Sequence, residues 1–302
     1  LSDFSDLHGG REMTAPVIWI VMPLGLAAIL LLLPRERLVA SLGTLFVLIL
    51  AGIAYRFPPD TAQRIGSFSI RIDSTLVLFG RQISLTPADQ TLLVIIYGMA
   101  AFWFFGTLAV GGARQIVPLG LVVTALLVAS LAVQPFLYAA LLIEMAVLFS
   151  IPLLARLGRK PGRGLIRFLI YQTLAMPFIL LAGFLLSGVE AGPGDVAIIT
   201  QSAVLLAFGF AFLLAIFPLN TWIPQLAQEV SPYAFGFILT IFPTFGLVFG
   251  LSFMDRYSWL REARQLSSIL ETAGLLTAVT AGIWAAFQRH LGRIAAYAAI
   301  FE

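Results

Sequence analysis

One carboxyl group lies inside a long apolar stretch of the sequence. Glu144 follows Pro135, the start of that stretch, by nine residues, which is about 14 Å of helix and reaches the middle of a bilayer. A charge at this depth costs roughly 2.5 to 3.5 kcal/mol on insertion scales, and carboxyl groups found there commonly relay protons. Two interpretations stay open: Glu144 relays protons, or it stays protonated and hydrogen-bonds a neighbouring helix.

Other polar residues in apolar runs could extend a hydrated path from that carboxyl group. They are Tyr171, Gln172, Thr173, Asn220, Thr240, Thr244, Thr277 and Thr280. Such hydroxyl and amide groups also hydrogen-bond their own helix or a neighbour, so a packing role stays open for each of them. Glu271 differs, because it lies near the end of its apolar run, where a carboxylate can reach interfacial water.

Prolines interrupt one of the apolar stretches. Pro218 and Pro224 enclose Trp222, and Ser231 with Pro232 begins the next apolar run. Proline removes a backbone donor and breaks a helix, and unwound backbone inside a membrane is tolerated only beside protein or a water-filled cavity. The pattern therefore predicts a broken seventh helix next to a functional cavity.

The composition excludes a water-soluble globule. Of 302 residues, 60% are hydrophobic and 11% are charged, against about 45 to 50% and about 25% in soluble domains. The sequence has no cysteine, P-loop, dinucleotide-binding glycine pattern or metal-ligand spacing, so no metal or cofactor site is predicted. The net charge of +3 comes from scattered arginines, and no nucleic-acid partner is predicted.

Nine apolar runs reach the roughly 20 residues that a helix needs to cross a bilayer. They are Ala15–Pro34, Leu38–Tyr55, Thr91–Val110, Ile116–Val133, Pro135–Ala155, Leu165–Ser187, Val196–Phe217, Pro232–Met254 and Leu266–Phe287. A tenth begins at Ile294 and is too short to span. We predict an all-α polytopic membrane protein, with a polar segment at 1–14 and one transmembrane domain at 15–302. The chain is expected to be the front part of a longer protein, and Met13 is a candidate start.

The loops predict a hairpin and an orientation. Alternating apolar residues in the 57–90 loop favour a small β-hairpin, and an irregular exposed loop is the alternative. The Arg156–Arg167 loop carries five positive charges and no acidic residue, whereas the opposing loop carries Glu190 and Asp195. Because positive loops remain in the cytoplasm, we expect the N-terminus outside, in a bacterial inner membrane.

Three features resemble one family, the antiporter-like subunits of respiratory complex I, Mrp-type cation/proton antiporters and membrane-bound hydrogenases. The segment Pro218–Pro224, followed by Ser231–Pro232, is similar to the family's Pro-Phe-His-x-Trp-x-Pro-Asp segment. Leu291–Ile300 is similar to its Leu-Lys-Arg-Leu-Leu-Ala-Tyr-Ser-Ser-Ile segment, and Glu144 lies in the span where the family carries a glutamate. The resemblance covers roughly Thr91–Glu302 and implies an antiporter-like helical bundle.

The family's other ionisable positions are neutral here. In the family, a row of such groups passes protons along the membrane, and lysines of the seventh and eighth spans are central to it. The seventh-span lysine corresponds to Leu213, and the eighth-span lysine to about Thr244 or Phe245. The motif histidine corresponds to Asn220, the motif aspartate to Gln225, and the tenth-span lysine to Gly292. We therefore expect a degenerate proton channel in this chain.

Three functions stay open at this point. The chain is a working proton- or cation-translocating subunit, a structural docking subunit, or a subunit of an Mrp-type antiporter or membrane-bound hydrogenase. We prefer a complex I-like NADH-quinone oxidoreductase assembly, in which other membrane subunits and the lipid bilayer are the partners. No redox chemistry is expected in this chain. Quinone, flavin and iron–sulfur clusters would belong to partner subunits.

Overall fold

The computed structural model describes residues 14–60, 62–65, 68–78, 80–134, 137–155, 158, 160–186, 196–257 and 264–301. The predicted Met13 start and the acidic 187–195 loop lie outside them. The chain divides into two compact units, Leu1–Pro135 and Phe136–Glu302. One transmembrane domain over 15–302 stays a prediction.

The first unit combines four helices with short strands. In chain order the elements are a π-helical turn Val17–Val21, α1 Met22–Leu32, α2 Glu36–Arg56, β1 Ala62–Ile65, β2 Phe68–Arg71, β3 Thr75–Leu78, β4 Arg81–Ser84, α3 Gln90–Val110, α4 Ala113–Ala132 and β5 Val133–Gln134. Helix α4 is apolar around its whole circumference and is buried against α1, α2 and α3, as expected for a helix without a polar face.

Side chains of this unit also tie its helices together through hydrogen bonds. The Trp19 indole donates to the Leu50 carbonyl at 3.3 Å, and the buried Tyr97 hydroxyl donates to the Trp19 carbonyl. The Gln90 amide, at the start of α3, donates to the carbonyl of Ala54 near the end of α2. These bonds join the first helical segment to α2 and α3, and α2 to α3, in an apolar environment where polar groups need protein partners.

The 57–90 segment, for which the sequence predicted one hairpin, contains two antiparallel strand pairs. Strand β1 pairs with β2 and β3 pairs with β4, with Thr75 opposite Ser84. Gly80 adopts a φ of 73° in the turn between β3 and β4, which the tight turns of hairpins require. Strand β5 adds to β4, where the Gln134 amide donates to the Ser84 hydroxyl at 3.0 Å.

The second unit contains seven helices among its described residues. They are α5 Leu137–Leu154, α6 Arg163–Leu186, α7 Val196–Leu213, α8 Trp222–Glu229, α9 Pro232–Arg256, α10 Arg264–Ala286 and α11 Leu291–Phe301. Helix α6 packs against α5, α7 and α8, and α10 packs against α11. Most apolar side chains of α10 are exposed, among them Leu275, Leu276 and Ile283.

Aromatic side chains fill the core of the second unit. Phe210 of α7 contacts Phe249 and Phe253 of α9, with ring centroids 5.9 and 6.2 Å apart. Phe168 of α6 lies between Trp222 and Phe242, with centroid distances of 5.0 and 5.9 Å. These contacts hold α8 and α9 against α6 and α7.

The helix lengths agree with most of the predicted spans. Six helices are long and apolar enough to cross a membrane, and apolar helices of 10 to 17 residues occupy parts of the first, fifth, seventh and tenth predicted spans. The seventh was predicted to continue to Phe217, but α7 ends at Leu213. The count of nine complete spans stays a prediction.

The end of α7 has a local physical cause. Ile216 donates its N–H to the Ala211 carbonyl, Ala215 donates to Phe212, and Ala215 adopts a φ of 53°. These two bonds with a left-handed residue form a Schellman motif, which ends helices. The apolar composition of residues 214–217 therefore extended the predicted span beyond the helix.

Gly43 provides a test of the packing of the first unit. A Cβ atom at this position would lie 2.2 Å from Cγ1 of Val117 in α4, whereas a Cβ at Gly52, also in α2, would meet open space. Because β-branched valine has few rotamers, we expect Gly43→Ala to lower stability by about 1 to 3 kcal/mol. Thermal unfolding in detergent measures this.

Gly52→Ala is the matched control. It replaces glycine by alanine in the same helix without a clash, so the unfolding temperature should stay unchanged or rise. Equal unfolding temperatures for the two variants would contradict the close approach of α2 to α4.

Candidate functional site

Glu144 has one hydrogen-bond partner in the part of the chain that the structure describes. The half-buried side chain extends from α5 toward α6, where the Thr173 hydroxyl donates to its Oε1 at 2.9 Å. Its Oε2 atom is buried without a hydrogen-bond partner. A carboxyl group with one free oxygen can exchange a proton only through water or a further group that comes within reach.

The three predicted polar residues of α6 point to different neighbours. Thr173 bonds Glu144, the buried Gln172 amide donates to the Leu213 carbonyl at 3.4 Å, and the Tyr171 ring contacts Phe212 with centroids 5.8 Å apart. Successive residues of a helix are rotated by about 100°. Gln172 therefore faces the end of α7, and its own Oε1 has no partner among the described residues.

The broken segment lies between α7 and α8. After the Schellman turn, the chain passes the cis Phe217–Pro218 peptide and a 3-10 turn at Leu219–Thr221 before α8 begins at Trp222. The end of a helix leaves backbone carbonyls without helical partners. Gln172 satisfies the Leu213 carbonyl, and the hydroxyl of Thr277 in α10 accepts from the Phe217 N–H at 3.1 Å.

The proline, tryptophan and serine residues of this segment serve packing and capping. Trp222 is buried against Phe168, and Pro224 is buried in α8. Pro232 occupies the first turn of α9, where the Ser231 hydroxyl accepts from the Ala234 N–H at 3.1 Å. Proline after a serine cap is a preferred helix start.

The predicted threonines bond mainly to their own helices. Thr240 donates to the Gly236 carbonyl, Thr277 to Ala273 and Thr280 to Leu276, each at 2.7 Å. Thr244 is half-buried in α9. Of the predicted polar path, the structure therefore brings together Glu144 with Thr173 and Gln172 with the end of α7.

A polar cavity of about 460 Å³ lies beside the broken segment. Its lining comes from α6, the break, α8, α10 and α11: Arg167, Phe217, Asn220, Thr221, Pro224, Gln225, Thr280, Ala281, Trp284, Gln288, Arg293 and Tyr297. Asn220, one of the predicted path residues, is buried here. No carboxylate is among these lining residues, so two arginines give the cavity a positive charge.

Sequence reasoning missed the two arginines of this cavity. The sequence pattern marked Arg167 only as a charge of the Arg156–Arg167 loop and Arg293 only as part of the Leu291–Ile300 segment. The two arginines are 126 positions apart in the sequence, and no local spacing connects them. The prolines of the broken segment predicted a cavity beside it, but they did not indicate that Arg167 and Arg293 would line that cavity.

Glu229 is a second residue that sequence reasoning missed. This last residue of α8 accepts hydrogen bonds from the backbone N–H groups of Gly164 and Leu165, at 2.7 and 3.2 Å. The start of α6 thus receives a carboxylate, which satisfies free N–H groups and complements the helix dipole. A Cβ at Gly164 would lie 2.4 Å from the Leu226 backbone nitrogen, so this close approach requires glycine.

Comparisons with known proteins point to one family. Residues 166–301 match the family described as NADH:quinone oxidoreductase/Mrp antiporter, transmembrane. A curated relative, NAD(P)H-quinone oxidoreductase chain 4-3 of Nostoc sp., is 27% identical over 157 residues, which are 47% of this chain. The match covers only 27% of that relative's own length.

Solved structures show the same fold. Respiratory complex I of Thermus thermophilus with bound NADH contains a chain with a TM-score of 0.76 at 20% identity, and an Mrp complex of Dietzia sp. one with 0.76 at 14%. A chain of an archaeal membrane-bound sulfane sulfur reductase has a TM-score of 0.74 at 16% identity. Each match covers 95% of this chain and 57 to 62% of the other. The resemblance to antiporter-like membrane subunits is thus confirmed.

The Glu229 cap yields a prediction about stability. We expect Glu229→Ala to lower the free energy of unfolding by about 0.5 to 2 kcal/mol, because it removes the acceptor for two N–H groups. The exposed neighbour Gln228 provides a matched control, and Gln228→Ala should unfold like the wild type. Urea or thermal unfolding in detergent distinguishes them, and an unchanged Glu229→Ala midpoint would exclude a stabilising cap.

Proposed function

We propose that this chain is an antiporter-like subunit of a complex I-like, proton-translocating assembly, because residues 166–301 match the transmembrane family described as NADH:quinone oxidoreductase/Mrp antiporter. Its own proton channel is degenerate. Its role is to dock other membrane subunits, and the quinone, flavin and iron–sulfur chemistry belongs to those partners. The protein lies in a bacterial inner membrane with the Arg156–Arg167 loop in the cytoplasm.

The end of α7 carries this proposal. Leu213, where the resemblance implies a lysine, has a side chain that is 3% exposed. Its carbonyl receives the Gln172 amide, and neither group can gain or lose a proton at neutral pH. The described partner of Glu144 is the Thr173 hydroxyl, and the sequences of α6 and α7 contain no carboxylate, lysine or histidine that could take its proton onward.

The charge distribution of the neighbouring helices supports the same conclusion. Glu144 is the only carboxylate in the sequences of α5, α6 and α7, and the basic residues there, Arg163 and Arg167, lie in the first turns of α6. A relay along the membrane requires groups that alternately take up and release protons. Within these three helices, Glu144 has no counterpart at its own depth.

Two alternatives keep specific support. The Glu144–Thr173 hydrogen bond could belong to a working relay in which water completes the path. An Mrp-type antiporter or a hydrogenase-like complex also stays open, since the complex I and Mrp matches have the same TM-score and fold alone does not separate them.

Partner identity tests the assembly. Purification of the chain from native membranes in a mild detergent should recover quinone-reductase subunits, identified by mass spectrometry. Antiporter or hydrogenase subunits without quinone-reductase subunits would contradict the complex I-like assignment and favour the corresponding alternative. A second chain of the same membrane, tagged and purified in parallel, controls for adventitious co-purification.

The Glu144 carboxyl group tests the degenerate channel. In membrane vesicles that contain the assembly, we expect Glu144→Gln to leave proton pumping per turnover within about two-fold of the wild type, because its path ends at neutral groups. Thr173→Val, which removes the same hydrogen bond from the other side, should behave alike. A loss of about ten-fold or more with normal assembly would favour a working relay.

Substitutions at Leu213 test whether water reaches the space around this side chain. We expect Leu213→Lys to reduce the yield of assembled protein in membranes, because a buried charge within the bilayer costs up to roughly 2.5 to 3.5 kcal/mol and α6 and α7 contain no carboxylate to pair with it. Leu213→Met keeps volume and polarity and should assemble normally. Normal assembly of the lysine variant would instead indicate a hydrated space at this position.

A further inference from the structure

The polar cavity beside the broken segment has two arginines and no carboxylate among its described lining residues. Arg167 comes from α6 and Arg293 from α11, and the ten other lining residues are uncharged at neutral pH. Arg167 is exposed and Arg293 is half-buried, and two like charges that line one cavity are stabilised by an anion that enters it. The charge thus points to an anionic occupant and disfavours entry of metal cations.

The hydrogen-bonding state of Arg293 supports an anionic occupant. Its Nε atom is buried without a partner in the described part of the chain, and its Nη1 atom makes one long bond of 3.4 Å to the Gln288 amide oxygen. A guanidinium group has five N–H donors arranged as a fork that matches two oxygens of a phosphate. Apart from the Gln288 bond, the guanidinium donors of Arg293 have no partner among the described residues, and the half-buried side chain lines the cavity.

Other polar groups around the arginines could orient the same molecule. Asn220 is 7% exposed, Thr221 and Tyr297 add hydroxyl groups, and the Gln225 Oε1 atom is buried without a partner among the described residues. A few convergent polar groups in a cavity of some hundreds of Å³ are typical of small-molecule sites. The volume of about 460 Å³ accommodates a phosphate group with a glycerol-sized substituent.

We propose that this cavity binds the phosphate group of an anionic molecule, held by the guanidinium groups of Arg167 and Arg293. Two sources carry that chemistry, the headgroup of an anionic phospholipid and soluble phosphate. The rim favours the lipid. Phe217 and Trp284 line the cavity and are 43% and 55% exposed, and the exposed apolar side chains of Ile283 and Phe287 extend that surface along the end of α10.

The position of the arginines agrees with a lipid headgroup. Arg167 lies in the second turn of α6 and Arg293 in the first turn of α11, so both lie near helix ends, at the level where headgroups lie. In the proposed orientation these ends face the cytoplasm, where anionic lipids are concentrated and basic pockets between helices bind their headgroups.

Native mass spectrometry of the full chain in a neutral detergent tests this site. The anionic lipid phosphatidylglycerol should remain bound to the wild type, whereas the zwitterionic lipid phosphatidylcholine should not. Arg293→Gln and Arg167→Gln should each weaken phosphatidylglycerol binding by about ten-fold or more. Arg289→Gln removes an exposed positive charge close to the site without altering its lining, and binding should stay within about two-fold.

Competition identifies the source of the phosphate group. If millimolar inorganic phosphate displaces phosphatidylglycerol, or binds to the cavity in the absence of lipid, soluble phosphate is an occupant of the site. If phosphatidylglycerol binds and inorganic phosphate has no effect, the lipid is the occupant. Absence of binding by both molecules would overturn the proposal, and so would equal losses in Arg293→Gln and Arg289→Gln.

A measurement on the wild-type chain avoids the risk that a variant fails to fold. Phenylglyoxal modifies accessible arginines, and peptide mass spectrometry reports the rate for each residue. Phosphatidylglycerol or inorganic phosphate should slow the modification of Arg293 and Arg167 by several-fold and leave Arg289 unaffected. Equal rates with and without both molecules would overturn the proposal independently of any substitution.

Discussion

The structure of the second unit depends on the satisfaction of backbone groups where α7 stops. A helix that ends inside an apolar bundle exposes carbonyl and N–H groups, and each costs several kcal/mol when no water reaches it. Here the Schellman bonds at Ala215 satisfy two carbonyls, Gln172 satisfies Leu213, and Thr277 satisfies the Phe217 N–H. Side chains of α6 and α10 therefore hold the break, and both helices also line the neighbouring cavity.

The same constraint explains the roles of polar residues that first suggest a proton path. Gln172 and Thr277 contact the backbone of the broken segment, and Thr240 and Thr280 contact their own helices. In an apolar medium, a hydroxyl or amide group binds the nearest available carbonyl. Glu144 remains as a half-buried carboxyl group with one partner among the described residues, which agrees with the proposed degenerate channel.

Apart from Glu144 and Glu271, the charged side chains in the helices of this unit lie near helix ends. Glu229 stabilises the start of α6 through two backbone N–H groups, and Gly164 lets α8 come close enough for these bonds. Arg167 follows within the second turn of the same helix. The beginning of α6 therefore combines a structural carboxylate on α8 with a guanidinium group that faces the positively charged cavity, and the two groups serve different purposes.

Local sequence patterns determined much of this protein. The length and composition of the apolar runs predicted the helices, since a long apolar run cannot be stable in water, and prolines 218, 224 and 232 located the break because proline cannot continue a helix. The prediction failed at the end of α7, where Leu214, Ile216 and Phe217 are as apolar as a helix interior. The left-handed turn at Ala215 that ends the helix has no sequence signal of the kind that glycine provides.

The tertiary structure alone decided which distant residues meet. Thr173 reaches Glu144 across 29 positions, Glu229 caps a helix that begins 66 positions earlier, and Arg167 shares a cavity with Arg293 across 126 positions. Hydropathy and proline patterns act over one or two helical turns, so they carry no information about such pairs. Contacts of this kind depend on how helices pack and rotate about their axes, and that is set by the whole of the core.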